Sequence, residues 1–245
     1  MNTLMVRSAG FGLLLAAATP AMAQSTDPVA TDQSIAQTAT TATAPVGIKA
    51  GDVLLRLRAI AVVPQDSSGG ITPTFPSEHV GVGTSYMPEI DVTYMATDAI
   101  GFELIASTTK HDAKGRTGTT GSIGKLAGTW VLPPTLTAQY HFNSHGSIRP
   151  YLGAGINYTV FWNERASNGL EAAVGKTRVR MDDSFGWAAQ AGIDVDITPK
   201  VFLNLDLKYI DMDTTAHLRT TAIGTQDLRI HIDPLVVGVG LGIRL

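Results

Sequence analysis

The 245-residue sequence contains no cysteine, and only 7% of its residues are aromatic. Without cysteine the chain has no disulfide framework, no thiolate metal site and no thiol nucleophile. Beyond the N-terminus, no apolar run approaches the roughly 20 residues that a membrane-spanning helix needs. The formal net charge of -3 gives no indication of a nucleic-acid partner. The length suits one large β domain or two small ones.

The first 23 residues have the pattern of a cleaved export signal. Arg7 precedes a short apolar run at residues 11–18, and the small-x-small sequence AMA at 21–23 comes directly before Gln24. The run is too short to serve as a membrane anchor. We therefore expect cleavage after residue 23 and export of the rest of the chain.

Residues 24–49 are rich in threonine and alanine and have almost no large apolar side chains. Such a composition cannot bury enough apolar surface to offset the entropy of ordering. We predict a flexible leader here, followed by one domain at residues 50–245.

From residue 50 onward, apolar and polar residues alternate with a period of two, which is typical of strands. The first alternating stretch puts Leu55 and Leu57 on one face and Arg56 and Arg58 on the other. Eight stretches follow this pattern: 53–63, 89–95, 101 to about 111, 135–142, 150–161, 184–197, 201–210 and 235–245.

The connections between these stretches alternate in length. The short ones are residues 96–99, 143–148 and 198–200. The long ones are approximately residues 64–88, 112–133, 162–183 and 211–229. Short turns at one end and long loops at the other are typical of outer-membrane barrels. The sequence therefore predicts an all-β fold, an eight-stranded antiparallel transmembrane β-barrel with short periplasmic turns and long extracellular loops.

Alternation alone leaves open a secreted lipocalin-like barrel, whose apolar face would line the interior. The glycines favour the opposite orientation. Gly238, Gly240 and Gly242 lie on the polar face of the last stretch, where exposed glycine would weaken a strand without a spatial reason. In the narrow lumen of an eight-stranded barrel, small residues make room for large ones. We therefore expect the polar face to line the lumen.

Charged residues of both signs share this polar face. Buried charges need partners, so we predict an ionic plug that leaves no wide channel, although a mixed solvated surface would show the same pattern. The predicted plug residues are Arg56, Arg58, Glu89, Asp91, Glu103, Asp194, Asp206, Lys208 and Arg244.

Five segments resemble the OmpW family of outer-membrane proteins. They are LPPTLTAQYHF (132–142), RPYLGAGINYTVFW (149–162), SFGWAAQAGIDVDI (184–197) with YIDMDTTA (209–216), and IDP (232–234). The resemblance implies an eight-stranded barrel in the outer membrane of a Gram-negative bacterium, in a family associated with uptake of small hydrophobic molecules. AlkL-type proteins for alkane import are similar to this family.

One departure from the family pattern concerns assembly. Family members commonly end in an aromatic residue, usually Phe, whereas this sequence ends in Leu245. The terminal side chain is part of the signal read by the barrel-assembly machinery. The resemblance implies this machinery as a partner during biogenesis, together with outer-membrane lipid.

A polar, plugged lumen is a poor path for an apolar solute, so we expect entry among the long loops and sideways exit into the bilayer. Apolar residues on the loop side are the candidate pocket lining. They are Phe75, Tyr86, Met87, Trp130, Leu132, Phe161 and Trp162.

Prolines suggest where the wall could open, because proline cannot donate a hydrogen bond to a strand ladder. Pro64 ends the first stretch and Pro234 precedes the last, and these strands are neighbours in a closed barrel. We predict a lateral seam there, with a second weak point at Pro133 and Pro134.

Two other classes of function are compatible with parts of the sequence. His111 with Asp112, or His231 with Asp233, could form a rim dyad for general-base catalysis. No serine has a recognisable nucleophile context and the histidines lack the spacing of a zinc site, so we expect no enzyme activity, no metal and no cofactor. A structural or adhesive surface barrel without transport would use the same loops, and the sequence leaves that alternative open.

Overall fold

The computed structural model describes residues 47–245. The predicted export signal and residues 24–46 of the predicted leader lie outside this part of the chain. Within it, no helix is long and apolar enough to cross a membrane. The elements in chain order are β1 (Val53–Val63), β2 (Ser67–Ser68), β3 (Val80–Val82), β4 (Ser85–Met95), β5 (Ile100–Ser107), β6 (Thr109–Gly115), α1 (Gly118–Ile123), β7 (Lys125–Leu132), β8 (Thr135–His141), β9 (Ile148–Ala166), α2 (Asn168–Val174), β10 (Thr177–Met181), β11 (Ser184–Asp196), β12 (Val201–Ile210), β13 (Asp213–Thr220), β14 (Gly224–His231) and β15 (Leu235–Arg244).

Eight strands form a closed antiparallel barrel, which confirms the predicted fold class. Their order around the wall is β1, β4, β5, β8, β9, β11, β12 and β15, and the pairing of β15 with β1 closes the ring. That last pairing runs without interruption from Leu54 opposite Arg244 to Val63 opposite Leu235.

The apolar face of the barrel strands points outward. Leu57 is 62% exposed, whereas Arg56 and Arg58 on the other face of β1 are buried. Exposed apolar side chains cover every barrel strand, and examples are Ile90, Leu104, Leu136, Ile156, Trp187, Leu205 and Val239. A lipocalin-like interior is therefore wrong for this chain, because the large apolar surface needs lipid rather than water around it.

The periplasmic end is closed by a small apolar cluster. Ile48 is fully buried with Leu54, Met95 and Phe202, and its backbone N–H donates to the Ser144 carbonyl at 2.7 Å. Ile48, which falls within the predicted leader, therefore belongs to the packed domain.

The long connections are mostly strands rather than irregular loops. One extracellular sheet contains β3, β6, β7 and the upper part of β9, and a second contains β10, β13, β14 and β2. The short helix α1 connects the paired strands β6 and β7, and α2 connects β9 to β10. An apolar cluster that includes Val131, Phe161, Ile210 and Ile230 fills the space inside these strands.

Candidate functional site

The lumen of the barrel is blocked by a network of ion pairs. The Arg56 guanidinium lies 3.0 Å from Asp91 and 3.0 Å from Asp194. Its Nη1 also donates to the Thr93 hydroxyl at 2.7 Å. The Arg56 side chain is 0% exposed, so these oxygens take the place of water around its two terminal nitrogens.

Arg58 binds four carboxylates. Its Nε lies 2.9 Å from Glu89, and its Nη2 lies 2.6 Å from Asp91. The same Nη2 is 3.0 Å from Glu103, and Nη1 is 3.4 Å from Asp206. Because this guanidinium joins acids from strands on different sides of the lumen, it ties the wall together across the barrel.

The remaining predicted plug residues lie above and below this centre. Lys208 lies 3.2 Å from Glu89 at the extracellular side of the network. Arg244 lies near the periplasmic end, where it is 3.2 Å from Asp196. Arg149 shares that carboxylate at 2.6 Å. The nine predicted residues therefore all face the lumen, eight of them in one network and Arg244 in a second, lower cluster.

Several neutral partners of the plug were missed by the sequence reasoning. Glu103 accepts hydrogen bonds from Gln139 at 2.7 Å, Gln190 at 2.6 Å and the Thr137 hydroxyl at 3.2 Å. The Tyr151 hydroxyl donates to Asp206 at 2.8 Å. All of these residues have the lumen-facing parity of their strands, so the alternation itself could have identified them.

The glycines of β15 do leave room for large lumen side chains. A Cβ on Gly240 would overlap the Leu57 carbonyl oxygen and lie 2.6 Å from the Cα of Arg58. A Cβ on Gly242 would overlap the ring of Phe202. Close approach of β1 and an inward aromatic ring, as well as the charged side chains, therefore require glycine here.

Above the plug the character of the lumen changes from ionic to apolar. An inner cavity of about 60 Å³ rests on Lys208 and Glu89 and reaches up to Phe161 and Met181. Its few polar residues include Ser107, Thr109 and His111. Burial lowers the pKa of His111 below its usual value, so this imidazole stays neutral near pH 7.

A second, outer pocket of about 230 Å³ lies beneath the helices α1 and α2. Its lining is mostly apolar and includes Ile71, Leu126 and Leu170. Glu78 holds α1 in place, since its carboxylate accepts the backbone N–H groups of Thr119 at 2.9 Å and Thr120 at 2.7 Å.

Three of the predicted pocket residues face inward. Phe75 lines the outer pocket and Phe161 lines the inner cavity. Met87 is partly buried against the apolar cluster between the extracellular sheets.

The other four predicted pocket residues lie on the outside of the wall, so their assignment was wrong. Tyr86 is 76% exposed, and Trp162 and Leu132 are also exposed. Trp130 stacks on Trp162 with ring centroids 5.6 Å apart. These side chains have the outward parity of their strands and match the aromatic girdle of an outer-membrane barrel.

The predicted seam between the first and last barrel strands is not loosened. The ladder between β1 and β15 extends to Val63 opposite Leu235, directly beside Pro64 and Pro234. Just above these prolines, β2 pairs with β14. Hydrogen bonding on both sides of the two prolines therefore keeps this part of the wall closed.

The second predicted weak point, at Pro133 and Pro134, coincides with an interruption of the strand pairing. Pairing of β5 with β8 ends at Ile105 opposite Thr135, and pairing of β6 with β7 begins at Thr109 opposite Val131. The register is the same on both sides, so residues 106–108 face 132–134 without ladder pairing. We call this place the wall break.

The wall break lies between the inner cavity and the lipid-facing surface. Pro133 lines the inner cavity, while Leu104, Leu132 and Leu136 around the break are exposed on the outside. Neither Pro133 nor Pro134 can donate a backbone hydrogen bond across it.

Comparison with known proteins places this architecture in a family, since residues 49–245 match the OmpW family. The chain is 34% identical over 196 residues to outer membrane protein W of Vibrio cholerae, covering 79% of this chain and 88% of that protein. The chain belongs to the OmpW family. This OmpW-family barrel is an outer-membrane protein and lies in the lipid bilayer.

Solved structures share the fold of this OmpW-family barrel. The crystal structure of the outer membrane protein OprG from Pseudomonas aeruginosa aligns with a TM-score of 0.76 and 29% identity over 81% of this chain and 98% of that chain. The solid-state NMR structure of outer membrane protein AlkL aligns with a TM-score of 0.62 and 20% identity over 82% of this chain and 92% of that chain.

The first predicted catalytic dyad does not form in the OmpW-family barrel. The His111 ring nitrogens contact the Gly83 carbonyl and the Thr109 hydroxyl, each at 3.0 Å. Asp112 instead lies 2.7 Å from Lys125. Because His111 and Asp112 are adjacent in a strand, their side chains point to opposite faces.

The second predicted dyad does not form either. His231 pairs with Asp213 at 2.5 Å, whereas Asp233 accepts the backbone N–H of Met212 at 3.0 Å. Among residues 47–245, no group of three or more histidine or acidic side chains is placed to hold a metal ion.

Proposed function

We propose that this OmpW-family barrel admits small, uncharged hydrophobic molecules into its extracellular half and releases them sideways into the outer leaflet through the wall break. The observation that carries the proposal is the position of the apolar inner cavity. The cavity ends on a closed ionic plug below and reaches the lipid-facing wall at Pro133.

Entry begins at the outer pocket. Its lining residues Ile71, Leu126 and Leu170 belong to the same apolar cluster as Phe161 and Met212 of the inner cavity. An apolar solute therefore stays in contact with apolar side chains along this path. Met181 and Met212 line the inner cavity, and flexible methionine side chains can rearrange around solutes of different shape.

The plug excludes passage straight through the lumen. Arg56 and Arg58 have no exposed side-chain surface and bind carboxylates from several strands. An apolar molecule offers these charges no replacement hydrogen bonds, and breaking a buried ion pair leaves an uncompensated charge. The solute therefore stops above Lys208 and Glu89.

Exit at the wall break costs no ladder hydrogen bonds, since residues 106–108 and 132–134 do not pair. Outside the break, Leu104, Leu132 and Leu136 are exposed to the acyl region. A molecule that leaves here moves from apolar side chains directly into lipid.

Charge sets the expected class of solute. The inner cavity has neutral hydroxyls at Ser107 and Thr109 and a neutral imidazole at His111, whereas its one lysine is held by Glu89. An anionic solute would lose hydration there without gaining a free cation, and the cavity's other charged residue, Glu164, accepts the backbone N–H of Met181 at 3.3 Å. Hydrocarbons and neutral compounds with one hydrogen-bonding group fit this lining, and no catalytic step is involved.

Engineered disulfides can test the exit route, because the chain has no natural cysteine. The variant A106C/P134C places a cysteine pair across the wall break, in the register that continues from Ile105 and Thr135. The matched control V63C/L235C joins β1 and β15 at the closed proline seam. Uptake of the neutral dye N-phenylnaphthylamine is measured in intact cells that express the full chain, before and after reduction.

We expect oxidised A106C/P134C to lose the dye uptake that the protein adds, and reduction to restore it. The control should transport equally in both states. Unchanged uptake by oxidised A106C/P134C would refute the wall break as the exit, and loss of uptake in oxidised V63C/L235C would move the exit to the β1–β15 seam. If the wild-type chain adds no uptake, a surface barrel without transport becomes the better description.

A further inference from the structure

The outer face of β6, β7 and β9 combines an aromatic pair with a concentration of positive charge. Lys110 is opposite Trp130, and Trp130 is opposite Trp162, so the three side chains form one row across the strands. Exposed tryptophans mark the membrane–water interface of a barrel. This row therefore lies at the level of the lipid headgroups.

Positive side chains dominate the surface above the row. Lys110, Lys114, Lys125 and Arg165 are all exposed. The carboxylate in this group, Asp112, is bound to Lys125 at 2.7 Å. Lys110 and Arg165 form no ion pair with any residue between 47 and 245. The face therefore carries an excess of positive charge, although the whole chain has a net charge of -3.

The arrangement of these cations is unfavourable without an anion. Lys114 and Lys125 are direct cross-strand partners, and like charges in that position repel each other. Asp112 neutralises only one of them. The Nε of Arg165 donates to Asn163 at 3.0 Å. This hydrogen bond orients the guanidinium and leaves the N–H groups of its two terminal nitrogens available to a ligand.

A surface depression brings these groups together. Lys110, Lys125, Arg165, Thr129 and Asn163 line it, and Trp130 forms its lower side. It is thus a concave, polar and positively charged site, directly above an apolar aromatic surface. A ligand that fits needs a phosphate-type anion attached to a lipid.

We propose that this face binds a phosphate group of lipid A, the phosphorylated glycolipid of the outer leaflet. Lys110 and Arg165 contact the phosphate, and Trp130 and Trp162 pack against the sugar and the upper acyl chains. Lipid A is the occupant that charge and depth favour, because it carries its phosphates on sugars at the headgroup level where the tryptophan row lies. The proposal is independent of transport through the lumen.

Native mass spectrometry of the full chain in detergent micelles can test the site, with diphosphoryl lipid A and enzymatically dephosphorylated lipid A as probes. The variant K110Q/R165Q removes the two cations lining the depression that have no carboxylate partner. The matched control R178Q/R219Q removes two exposed cations that are cross-strand partners on the other extracellular sheet. The gel mobility of the folded barrel verifies that every variant is folded.

We expect wild-type protein to bind diphosphoryl lipid A more tightly than the dephosphorylated form. K110Q/R165Q should weaken that binding about twenty-five-fold, roughly fivefold for each cation. R178Q/R219Q should stay within about twofold of wild type on the same scale. Equal binding of the two lipid forms, equal loss in both double variants, or equal competition by phosphatidylglycerol would each overturn the proposal.

Discussion

Removal of Arg58 is the most informative perturbation of the plug. Its guanidinium contacts Glu89, Asp91, Glu103 and Asp206 within 3.4 Å, and its side chain is 0% exposed. The variant R58M keeps most of the side-chain volume and removes the charge. Any large loss of stability then reports electrostatics rather than a cavity.

The plug contains more acids than bases, so the loss should be large. The cations of the central network are Arg56, Arg58 and Lys208, and the carboxylates are Glu89, Asp91, Glu103, Asp194 and Asp206. Taking away one cation leaves carboxylates buried without a counter-charge, which typically costs about 3–5 kcal/mol. We expect R58M to lower the free energy of unfolding by about that amount.

A second substitution separates this explanation from a simple packing defect. The double variant R58M/E103Q removes one acid along with the base, while Gln139 and Gln190 can turn their amides to satisfy a glutamine. It should be more stable than R58M alone, and the coupling between the two sites should reach about 1–3 kcal/mol.

The free energies come from guanidinium titrations of the barrel in lipid vesicles, followed by tryptophan fluorescence and by the gel mobility of the folded form. The reasoning fails if R58M costs less than about 1 kcal/mol, far below the usual cost of a broken buried pair. It also fails if the losses of R58M and E103Q simply add.

The remaining predictions concern β15 and the extracellular sheet. G240A should lose about 1–3 kcal/mol of unfolding free energy, because its Cβ meets the backbone of β1. G238A, whose nearest contacts are at 3.3 Å, should lose less than about 1 kcal/mol in the same titration. Equal losses would contradict the steric explanation. His217 lies 2.7 Å from Asp227 and 3.2 Å from Asp182, and hydrogen bonds to these carboxylates raise its pKa. The charged form therefore stabilises the β13–β14 hairpin below the ordinary histidine pKa, and this contribution, less than about 1 kcal/mol at an exposed pair, disappears as pH rises through the raised value. NMR titration of the wild-type protein should show the raised pKa of His217, and an unshifted pKa would refute the prediction. Protease cleavage of the hairpin should increase over the same pH range in the wild type but not in H217Q.

The sequence alone predicted the barrel and the composition of its plug. Arg56 and Arg58 alternate with Leu55 and Leu57 within one strand, so the choice of face is a local property that periodicity reveals. Once one face is assigned to lipid, the parity of each strand fixes which charges meet in the lumen. Tyr151 follows the same rule, since its buried side chain has the lumen-facing parity of β9.

The extracellular half was predicted less well, because its strands were taken for loops and no parity was assigned. A register shift between Gly128 and Trp130 in β7 disrupts the alternation. Trp130 and Trp162 therefore seemed to be pocket residues, although they form an outward row. His111 and Asp112 were considered as a dyad because no parity was assigned to the residues of β6, which places their side chains on opposite faces.

The position of the wall break is decided by the tertiary structure alone. Pro64, Pro133, Pro134 and Pro234 all lack the same backbone donor, and the sequence gives no reason to separate them. Only the neighbours differ, because the seam between β1 and β15 is hydrogen-bonded on both sides of its prolines, while residues 106–108 face Pro133 and Pro134 without pairing. Local alternation of apolar and polar residues reveals where the strands lie and which way their side chains face. A gap between strands depends on pairing between distant segments, which local alternation does not reveal.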